Sequence, residues 1–313
     1  MLQMLSTEQR IRGGLVGLLV GDALGVPYEF HPSEQIPAFW LIEFEPPTSF
    51  NRAHKGIPVG TWSDDGAQAL ALLASLLQCG RLDLDDLGQK LVDWYQEGYM
   101  AVDAQVFDVG VQTGSALRRL MQGVPAARAG ANNENANGNG SLMRVLPLAL
   151  WHRGSDTELV DDAQRQSLVT HGHLRSQICC ALYCLWARQT LRENTNSWND
   201  AVSTLRTIYG EDTAEREELE FHLRPDEEPS GTGSGYVVDC LRSARWAMQG
   251  NSYEEVVKRA IVLGHDTDTT ACVAGGIAGI KYGLEGIPLR WQQELRGKEL
   301  CQGLLEQLVQ QHL

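Results

Sequence analysis

Apolar residues recur with the 3.6-residue period of an α-helix along most of the chain. The alternation of apolar and polar residues that is typical of strands is confined to one short stretch, Phe39 to Phe44. No sequence repeat of fixed length is present, which argues against a solenoid. The pattern therefore predicts an all-α fold with many short helices. The predicted helices span residues 7–25, 67–79, 84–97, 104–122, 142–152, 157–170, 174–192, 198–208, 235–249, 253–262 and 269–282.

The first predicted helix has a clear start. Ser6 and Gln9 have the spacing of a capping box, in which each side chain bonds the backbone N–H of the other residue. The apolar run that follows is interrupted by Gly17, Gly21 and Asp22, lacks a small-x-small cleavage site and is too short to span a bilayer. We therefore expect a buried helix here rather than a signal peptide.

Three long segments between the predicted helices are expected to be loops. Residues 31–61 contain five prolines, residues 128–140 are rich in Asn and Gly, and residues 211–234 are acidic and then glycine-rich. Long loops inside a compact domain are more often functional than idle. None of the three has the composition of an interdomain linker, so we expect a single domain over residues 1–313.

Composition narrows the class of protein. The 26 Lys and Arg residues against 40 Asp and Glu give a net charge of −14, which argues against nucleic acid or an anionic membrane as a partner. A small anionic ligand in a local pocket remains compatible with this charge. The seven cysteines are scattered without a C-x-x-C pair, and most lie in apolar runs. They predict free, buried thiols in a reducing cytoplasm.

Two acidic motifs suggest the chemistry of the chain. Ser63-Asp64-Asp65 and Asp266-Thr267-Asp268-Thr269 each stand just before an apolar helix. Taken alone, acidic residues in a first helical turn can serve simply to cap the helix. Two such clusters in one chain would repel each other, which favours cations between them, and carboxylate and hydroxyl oxygens suit Mg²⁺ or Mn²⁺ rather than zinc. The sequence thus predicts a dinuclear metal site whose halves are brought together by folding.

Two further acids lie near the start of the chain. Asp22 is on an apolar, glycine-rich helix face and needs a partner, either a backbone N–H or a metal-bound water. Glu29 opens the proline-rich loop and could reach a metal as that loop closes. A structural acid held by hydrogen bonds is the other interpretation of both residues.

Glycine-rich segments are candidate anion-binding loops. Gly138-Asn139-Gly140-Ser141 precedes a predicted helix, where backbone amides can approach phosphate oxygens, although such runs also form simple turns. Gly233-Ser234-Gly235-Tyr236 can form a second cradle in which Tyr236 stacks on a base or ribose, or can be a flexible linker. Neither loop matches a dinucleotide or Walker fingerprint.

Four basic or imidazole side chains lie beside these motifs. His171 and His173 can line a cleft and hydrogen-bond a ribose or carboxylate. Arg144 and Arg175 are candidate phosphate clamps or simple helix-end partners. None of them identifies a chemistry alone.

Taken together, these segments resemble the ADP-ribosylglycohydrolase family, the group that includes the dinitrogenase-reductase-activating glycohydrolase. The resemblance covers almost the whole chain in one order, and its last segment is the most specific. The segments are Gly21-Asp22-Ala23-Leu24-Gly25 with Glu29, Ser63-Asp64-Asp65, Gly138-Asn139-Gly140 with Met143-Arg144, His171-Gly172-His173, Gly233-Ser234-Gly235-Tyr236 and Gly264-His265-Asp266-Thr267-Asp268-Thr269.

The resemblance implies an all-α fold with two Mg²⁺ or Mn²⁺ ions as cofactors. It makes Glu29 the loop carboxylate that reaches the site. The chain departs from the family pattern at two positions, since Ser63 stands where Thr is frequent and His265 stands where Gly or Asp is common. The metal ligands implied by position are Ser63, Asp64, Asp65, Asp266, Asp268 and Thr269.

The implied reaction is hydrolysis of ADP-ribose from modified proteins, with the N-glycosidic bond to arginine as the expected linkage. Asp64, Asp65 or Glu29 would take a proton from water, and the Gly138–Ser141 and Gly233–Tyr236 loops would hold diphosphate and ribose. The proton donor for a departing guanidine is not indicated by the sequence. The expected partners are ADP-ribose, an ADP-ribosylated protein and, through it, an ADP-ribosylating enzyme or toxin.

Three other functions compete with this one. The same metal centre could act on serine-linked or small-molecule ADP-ribose derivatives. The chain could instead be a binding or crystallin-like protein that keeps the fold without turnover, or an immunity protein that counters a toxin. The intact set of acids favours an enzyme over a binding protein.

Overall fold

The computed structural model describes residues 5–312 and consists of α-helices joined by loops and short turns. Among these residues only isolated β-bridges occur and no sheet, which confirms the predicted all-α fold class. Within the same range the fourteen α-helices are α1 Thr7–Gly25, α2 Asp64–Cys79, α3 Leu84–Glu97, α4 Val111–Met121, α5 Leu146–Trp151, α6 Asp156–Ser167, α7 Leu174–Leu191, α8 Ser197–Tyr209, α9 Ala214–Glu217, α10 Val237–Ala247, α11 Tyr253–Ile261, α12 Thr267–Tyr282, α13 Leu289–Glu294 and α14 Lys298–Gln310.

The chain forms two compact units. The first is built from the described residues of Met1–Gly66, Pro229–Gly235 and Asp239–Leu313, and the second from Ala67–Glu228 and Tyr236–Val238. The expectation of one domain over residues 1–313 stays a prediction.

Helices α1 and α12 pack against each other within the first unit, and both are buried along most of their length. A Cβ atom added at Gly13 would overlap the carbonyl oxygen of Gly279, and one added at Gly279 would overlap that of Gly13. The two backbones are therefore in direct contact, which glycine permits because it has no side chain. At the far end of α1, Gly25 lies against the backbone of Asp268, so this contact also positions the start of α12.

The second unit is arranged around α7. This helix is apolar on nearly every side and buried over most of its length, as expected of a helix surrounded by others. It packs against α5, α6 and α8. Of the predicted substrate-binding residues in this unit, Gly138–Ser141 lie between α4 and α5, His171 and His173 between α6 and α7, and Tyr236 just before α10.

The ends of several helices differ from the sequence prediction. Helix α4 begins at Val111 instead of residue 104, because Asp103, Ala104 and Asp108 adopt left-handed conformations with φ of 55°. Helix α5 begins at Leu146 instead of residue 142, because the N–H groups of Leu142 and Met143 both bond to the Asn139 carbonyl in a tight turn. The capping box of Ser6 and Gln9 at the start of α1 is confirmed.

Two segments were predicted with the wrong structure, and a third was not assigned. Residues 39–44 are not a strand, since Phe39–Leu41 form a 3-10 turn closed by a hydrogen bond from Leu41 N to Ala38 O of 2.7 Å. The segment 211–234 is not all loop, because it contains α9 and the π-helix Glu218–Leu223. Helices α13 and α14 were not predicted, although Cys301, Leu305 and Leu308 are buried at helical spacing.

All seven cysteines are free, as predicted, with six of them buried and Cys79 partly exposed. Burial raises the pKa of the Cys180 thiol and of the Cys301 thiol to about 11. Since the thiolate is the reactive form, these cysteines belong to the packing of the protein. Within residues 5–312, no helix is both long enough and apolar enough to cross a membrane.

The contact between α1 and α12 gives a first prediction. Gly279→Ala should lower the free energy of unfolding by about 1–3 kcal/mol, because the new methyl group meets backbone atoms of Gly13 and Gly14 that have no rotamer to change. Chemical denaturation monitored by circular dichroism measures this. Gly303→Ala is the matched control, since Gly303 lies in α14 with open space around it and should gain about 0.5–1 kcal/mol. Equal effects of the two changes would contradict the close packing.

Candidate active site

The start of α2 carries three buried side chains in sequence. Ser63, Asp64 and Asp65 are 3%, 5% and 0% exposed. The Ser63 hydroxyl accepts a hydrogen bond from Asp65 N (3.3 Å), as a capping residue does. Asp22 of α1 also caps this helix, because its carboxylate accepts from Ser63 N (2.9 Å) and Gly66 N (2.7 Å). Of the two partners considered for Asp22, the backbone N–H is the one observed.

The start of α12 contacts the start of α2. Asp268 is fully buried, and its Oδ1 accepts from Thr269 N (2.7 Å). The Thr267 hydroxyl donates to the Gly25 carbonyl at the end of α1 (2.8 Å). The Thr269 hydroxyl donates to Asp65 Oδ1 (3.3 Å), which joins the two helix starts directly. Folding thus brings together the two acidic motifs that lie far apart in the sequence.

Glu29 completes the acidic cluster. This residue is 2% exposed, and one carboxylate oxygen from each of Glu29, Asp266 and Asp268 lies within 4.8 Å of the other two. Carboxylates this close and this buried repel one another strongly, and a divalent cation that prefers oxygen ligands relieves the repulsion. The cluster could therefore hold a metal ion, and its donor set fits one.

His54 supports Glu29 and was missed by the sequence analysis. Its Nε2 lies 2.5 Å from Glu29 Oε2. Burial, followed by the charge of Arg52, lowers the pKa of His54. With a proton on Nε2, the ring donates a hydrogen bond to the carboxylate. A histidine within a proline-rich segment carries no local signal that indicates this partner.

Backbone hydrogen bonds hold the segment after Glu29 in place. Phe30 N donates to His265 O (2.7 Å), and His265 N donates to His31 O (2.6 Å). Tyr28 on the other side exchanges hydrogen bonds with the backbone of Glu43, at 2.7 Å to its carbonyl and 3.0 Å from its N–H. Glu29 is buried in the acidic cluster in this structure, and its approach to a metal as the loop closes stays a prediction.

The glycine-rich loop of the first unit is held by Asp239. The carboxylate of Asp239 accepts from the backbone N–H and the hydroxyl of both Thr232 and Ser234, at 2.8–3.0 Å. Asp266 N donates to Gly233 O (2.9 Å), and a Cβ added at Gly235 would stand 3.0 Å from Asp266 Oδ2. The loop is thus a fixed neighbour of the acidic cluster rather than a flexible linker.

The Gly138–Ser141 loop belongs to the second unit. Gly138 N donates to Gln112 Oε1 (3.2 Å), and the fully buried Ser141 hydroxyl accepts from Ser167 Oγ (2.8 Å). His171 lies so close to Gly140 that a Cβ there would come within 2.8 Å of its ring. Burial and the charge of Arg144 lower the pKa of His171 to about 3, so its imidazole is neutral. Gln112 was not indicated by the sequence.

Arg144 is a positioning residue in the structure. Its guanidinium is fully buried and donates to Thr170 Oγ1 (2.7 Å), to both the carbonyl (2.9 Å) and the side chain (3.0 Å) of Gln166, to Gln68 (3.2 Å) and to the Gly140 carbonyl (3.3 Å). These bonds tie the glycine loop to the segment before His171. Since its charge is turned inward, the proposed role as a direct phosphate clamp is not supported.

Tyr236 and His173 also lie in the second unit. Tyr236 is 39% exposed, and its hydroxyl accepts from Arg175 (3.2 Å), which also forms a bidentate pair with Glu218 of the π-helix. His173 caps α7, and its Nδ1 lies 3.0 Å from the Asn137 side chain. A β-bridge joins Gly138 to Tyr236, the residue of the Gly233–Tyr236 segment that belongs to this unit.

The helical fold and the acidic cluster define a class of all-α proteins with an acidic site that could hold a metal ion. A family model described as ADP-ribosylglycohydrolase matches residues 4–313, so the chain belongs to the ADP-ribosylglycohydrolase family. The protein is an enzyme of the ADP-ribosylglycohydrolase class, and the resemblance of its sequence motifs to this family is confirmed.

Individual relatives match over nearly the whole chain. ADP-ribosylarginine hydrolase Tri1 from Serratia proteamaculans (strain 568) is 29% identical, over 96% of this chain and 78% of the relative. The protein of the same name from Pseudomonas putida (strain GB-1) is 30% identical, over 96% of this chain and 77% of the relative. A solved structure described as an ADP-ribosylglycohydrolase-related protein complex is 32% identical and has a TM-score of 0.78, covering 98% of this chain and 99% of that one.

The acidic cluster gives a second prediction. Asp65→Ala or Asp268→Ala should reduce turnover by more than about 100-fold, because even outer partners of a metal site cost about 10–100-fold when they are removed. The helical circular dichroism spectrum should be unchanged, since each change removes one of several repelling charges. Asp85→Ala is the control, because Asp85 occupies the matching position in the first turn of α3 but is exposed. Full activity of either site variant would contradict the assignment.

A third prediction concerns His265. This exposed residue has a φ of 62°, a conformation that costs a non-glycine residue about 1 kcal/mol or more. His265→Gly should therefore raise the free energy of unfolding by about 1 kcal/mol, less the entropy that glycine adds to the unfolded chain. Turnover should fall only mildly. Complete loss of activity in a folded variant would show that the imidazole has a catalytic role of its own.

Proposed function

We propose that the protein is a metal-dependent hydrolase that releases ADP-ribose from modified proteins by cleaving the N-glycosidic bond to an arginine side chain. The observation that carries the proposal is the buried cluster of Glu29, Asp266 and Asp268, which Thr269 links to Asp65. The arginine linkage is supported by the two relatives named ADP-ribosylarginine hydrolase, each matched over 96% of this chain.

Two Mg²⁺ or Mn²⁺ ions are the cofactors that fit the cluster. Such ions would act as Lewis acids toward the ribose hydroxyls and would lower the pKa of a water molecule. The cluster offers oxygen donors, and the four carboxylates among the ligands proposed here match the four positive charges of two divalent ions. The ligands that we propose are Ser63, Asp64, Asp65, Asp266, Asp268 and Thr269.

The protein side chains then have separate tasks. Asp64, Asp65 or Glu29 accepts the proton of the attacking water as the bond to the ribose anomeric carbon breaks through an oxocarbenium-like state. His54 holds Glu29 in place through its Nε2–H, and this hydrogen bond restricts rotation of the carboxylate.

The substrate loops supply backbone and ring contacts. We propose that Gly138, Asn139 and Gly140 offer backbone N–H groups to the diphosphate, with Ser141 contributing through its backbone because its hydroxyl bonds to Ser167. Gly233, Ser234 and Gly235 hold the ribose, and Tyr236 stacks on an adenine or ribose ring. The His171 ring packs against Gly140 and positions it, and His173 lies beside the Gly138–Ser141 loop at Asn137. The protein partner is an ADP-ribosylated substrate, which in turn requires an enzyme or toxin that installs the modification.

A fourth prediction tests this function. Arginine-ADP-ribosylated protein incubated with the enzyme and Mg²⁺ should release free ADP-ribose, and excess chelator should stop the release because the acidic cluster then lacks its cations. Chromatography of the released nucleotide measures the release with Mg²⁺ and the release in excess chelator.

The alternatives give different results in the same assay. Release from serine-linked protein but not from arginine-linked protein would overturn the linkage. Release that persists in excess chelator would overturn the metal dependence.

A further inference from the structure

We infer that Phe30 recognises the leaving group, by stacking its ring on the guanidinium of the modified arginine. The inference rests on the proposed function and adds to it a residue that selects arginine over a neutral acceptor. Its basis is an exposed aromatic ring in an unfavourable backbone conformation, whose backbone bonds to the residue before Asp266 and whose ring contacts His54.

Phe30 has two features that are costly for a structural residue. Its side chain is 68% exposed, whereas the neighbouring residues Tyr28 and Glu29 are buried. Its φ is 63°, in the left-handed region that bulky side chains rarely adopt. Backbone strain of this kind persists where the surroundings impose it, and such residues cluster at functional sites.

The surroundings of Phe30 fix the ring beside the acids. Its backbone N–H donates to the His265 carbonyl (2.7 Å), one residue before Asp266. Its ring lies 5.4 Å from the His54 ring, and His54 in turn holds Glu29 at 2.5 Å. The chain thus presents the ring of Phe30 to solvent within two contacts of the Glu29 carboxylate.

The chemistry of this position suits a guanidinium. A guanidinium is planar, always charged and weakly hydrated, and it stacks on aromatic faces. Glu29, the residue next to Phe30 in the chain, adds a negative charge on this side of the site, and His54 contacts both residues, which favours a cation near the ring. A serine hydroxyl is neutral and has no flat face, so the same ring gives it little advantage.

The experiment compares Phe30→Ala with Phe30→Tyr in the full-length enzyme with Mg²⁺. For arginine-linked ADP-ribose, Phe30→Ala should lower kcat/KM about tenfold, or about 1.4 kcal/mol, and Phe30→Tyr should restore most of it because the ring is retained. The inhibition constant of free ADP-ribose, which has no guanidinium, should stay within about twofold of wild type in both variants. Any turnover of serine-linked substrate should likewise change less than about twofold.

A matched control separates stacking from a general loss of an exposed ring. Trp40→Ala removes a side chain that is 75% exposed from the same proline-rich segment, and it should leave all three quantities unchanged. Unchanged arginine turnover in Phe30→Ala, or an equal loss of ADP-ribose affinity, would overturn the role of Phe30 while the proposed function stands. Failure of the wild-type enzyme to act on the arginine-linked substrate would overturn both.

Discussion

Repulsion between carboxylates buried at two helix starts is the constraint on which the first unit depends. Asp65 and Asp268 are fully buried, and Glu29 lies with Asp268 in one cluster. The protein offsets part of this repulsion with its own backbone, because helix N-termini present N–H groups and a partial positive charge to acidic side chains. The repulsion that the backbone does not offset favours the binding of cations by the cluster.

The contact between α1 and α12 lets the protein assemble this cluster accurately. Because glycines allow the two backbones to touch, the end of α1 lies directly on the first turn of α12. The same α1 carries Asp22, whose carboxylate holds the first turn of α2 through Ser63 and Gly66. One helix without a proposed ligand of its own therefore sets the relative position of two helix starts that supply the ligands.

Local patterns in the sequence were sufficient for the fold class, and they indicated the two acidic motifs that folding brings together. Helical period is a local property, and an acid–hydroxyl motif before an apolar run is visible in a few residues, as at Ser63 and Asp268. His54, Asp239 and Gln112 could not be predicted, since each acts through a partner far away in the chain or through a turn formed only on folding. Arg144 was noticed as a charge, but its inward direction depends on Gln166 and Thr170, which only the tertiary structure brings to it.

The buried thiols can be used to measure local opening of the folded protein. All seven cysteines lie in described parts of the chain, and six are shielded from solvent in the folded state. Burial, with the charge of Asp65 adding to it, raises the pKa of Cys272 at the acidic cluster, and burial raises that of Cys180 in the second unit. A thiol reagent reaches these two sulfurs only during transient opening, so their labelling rates report the local stability of each unit separately. The labelling rates of thiols that have no role in hydrolysis thus measure how often each unit opens.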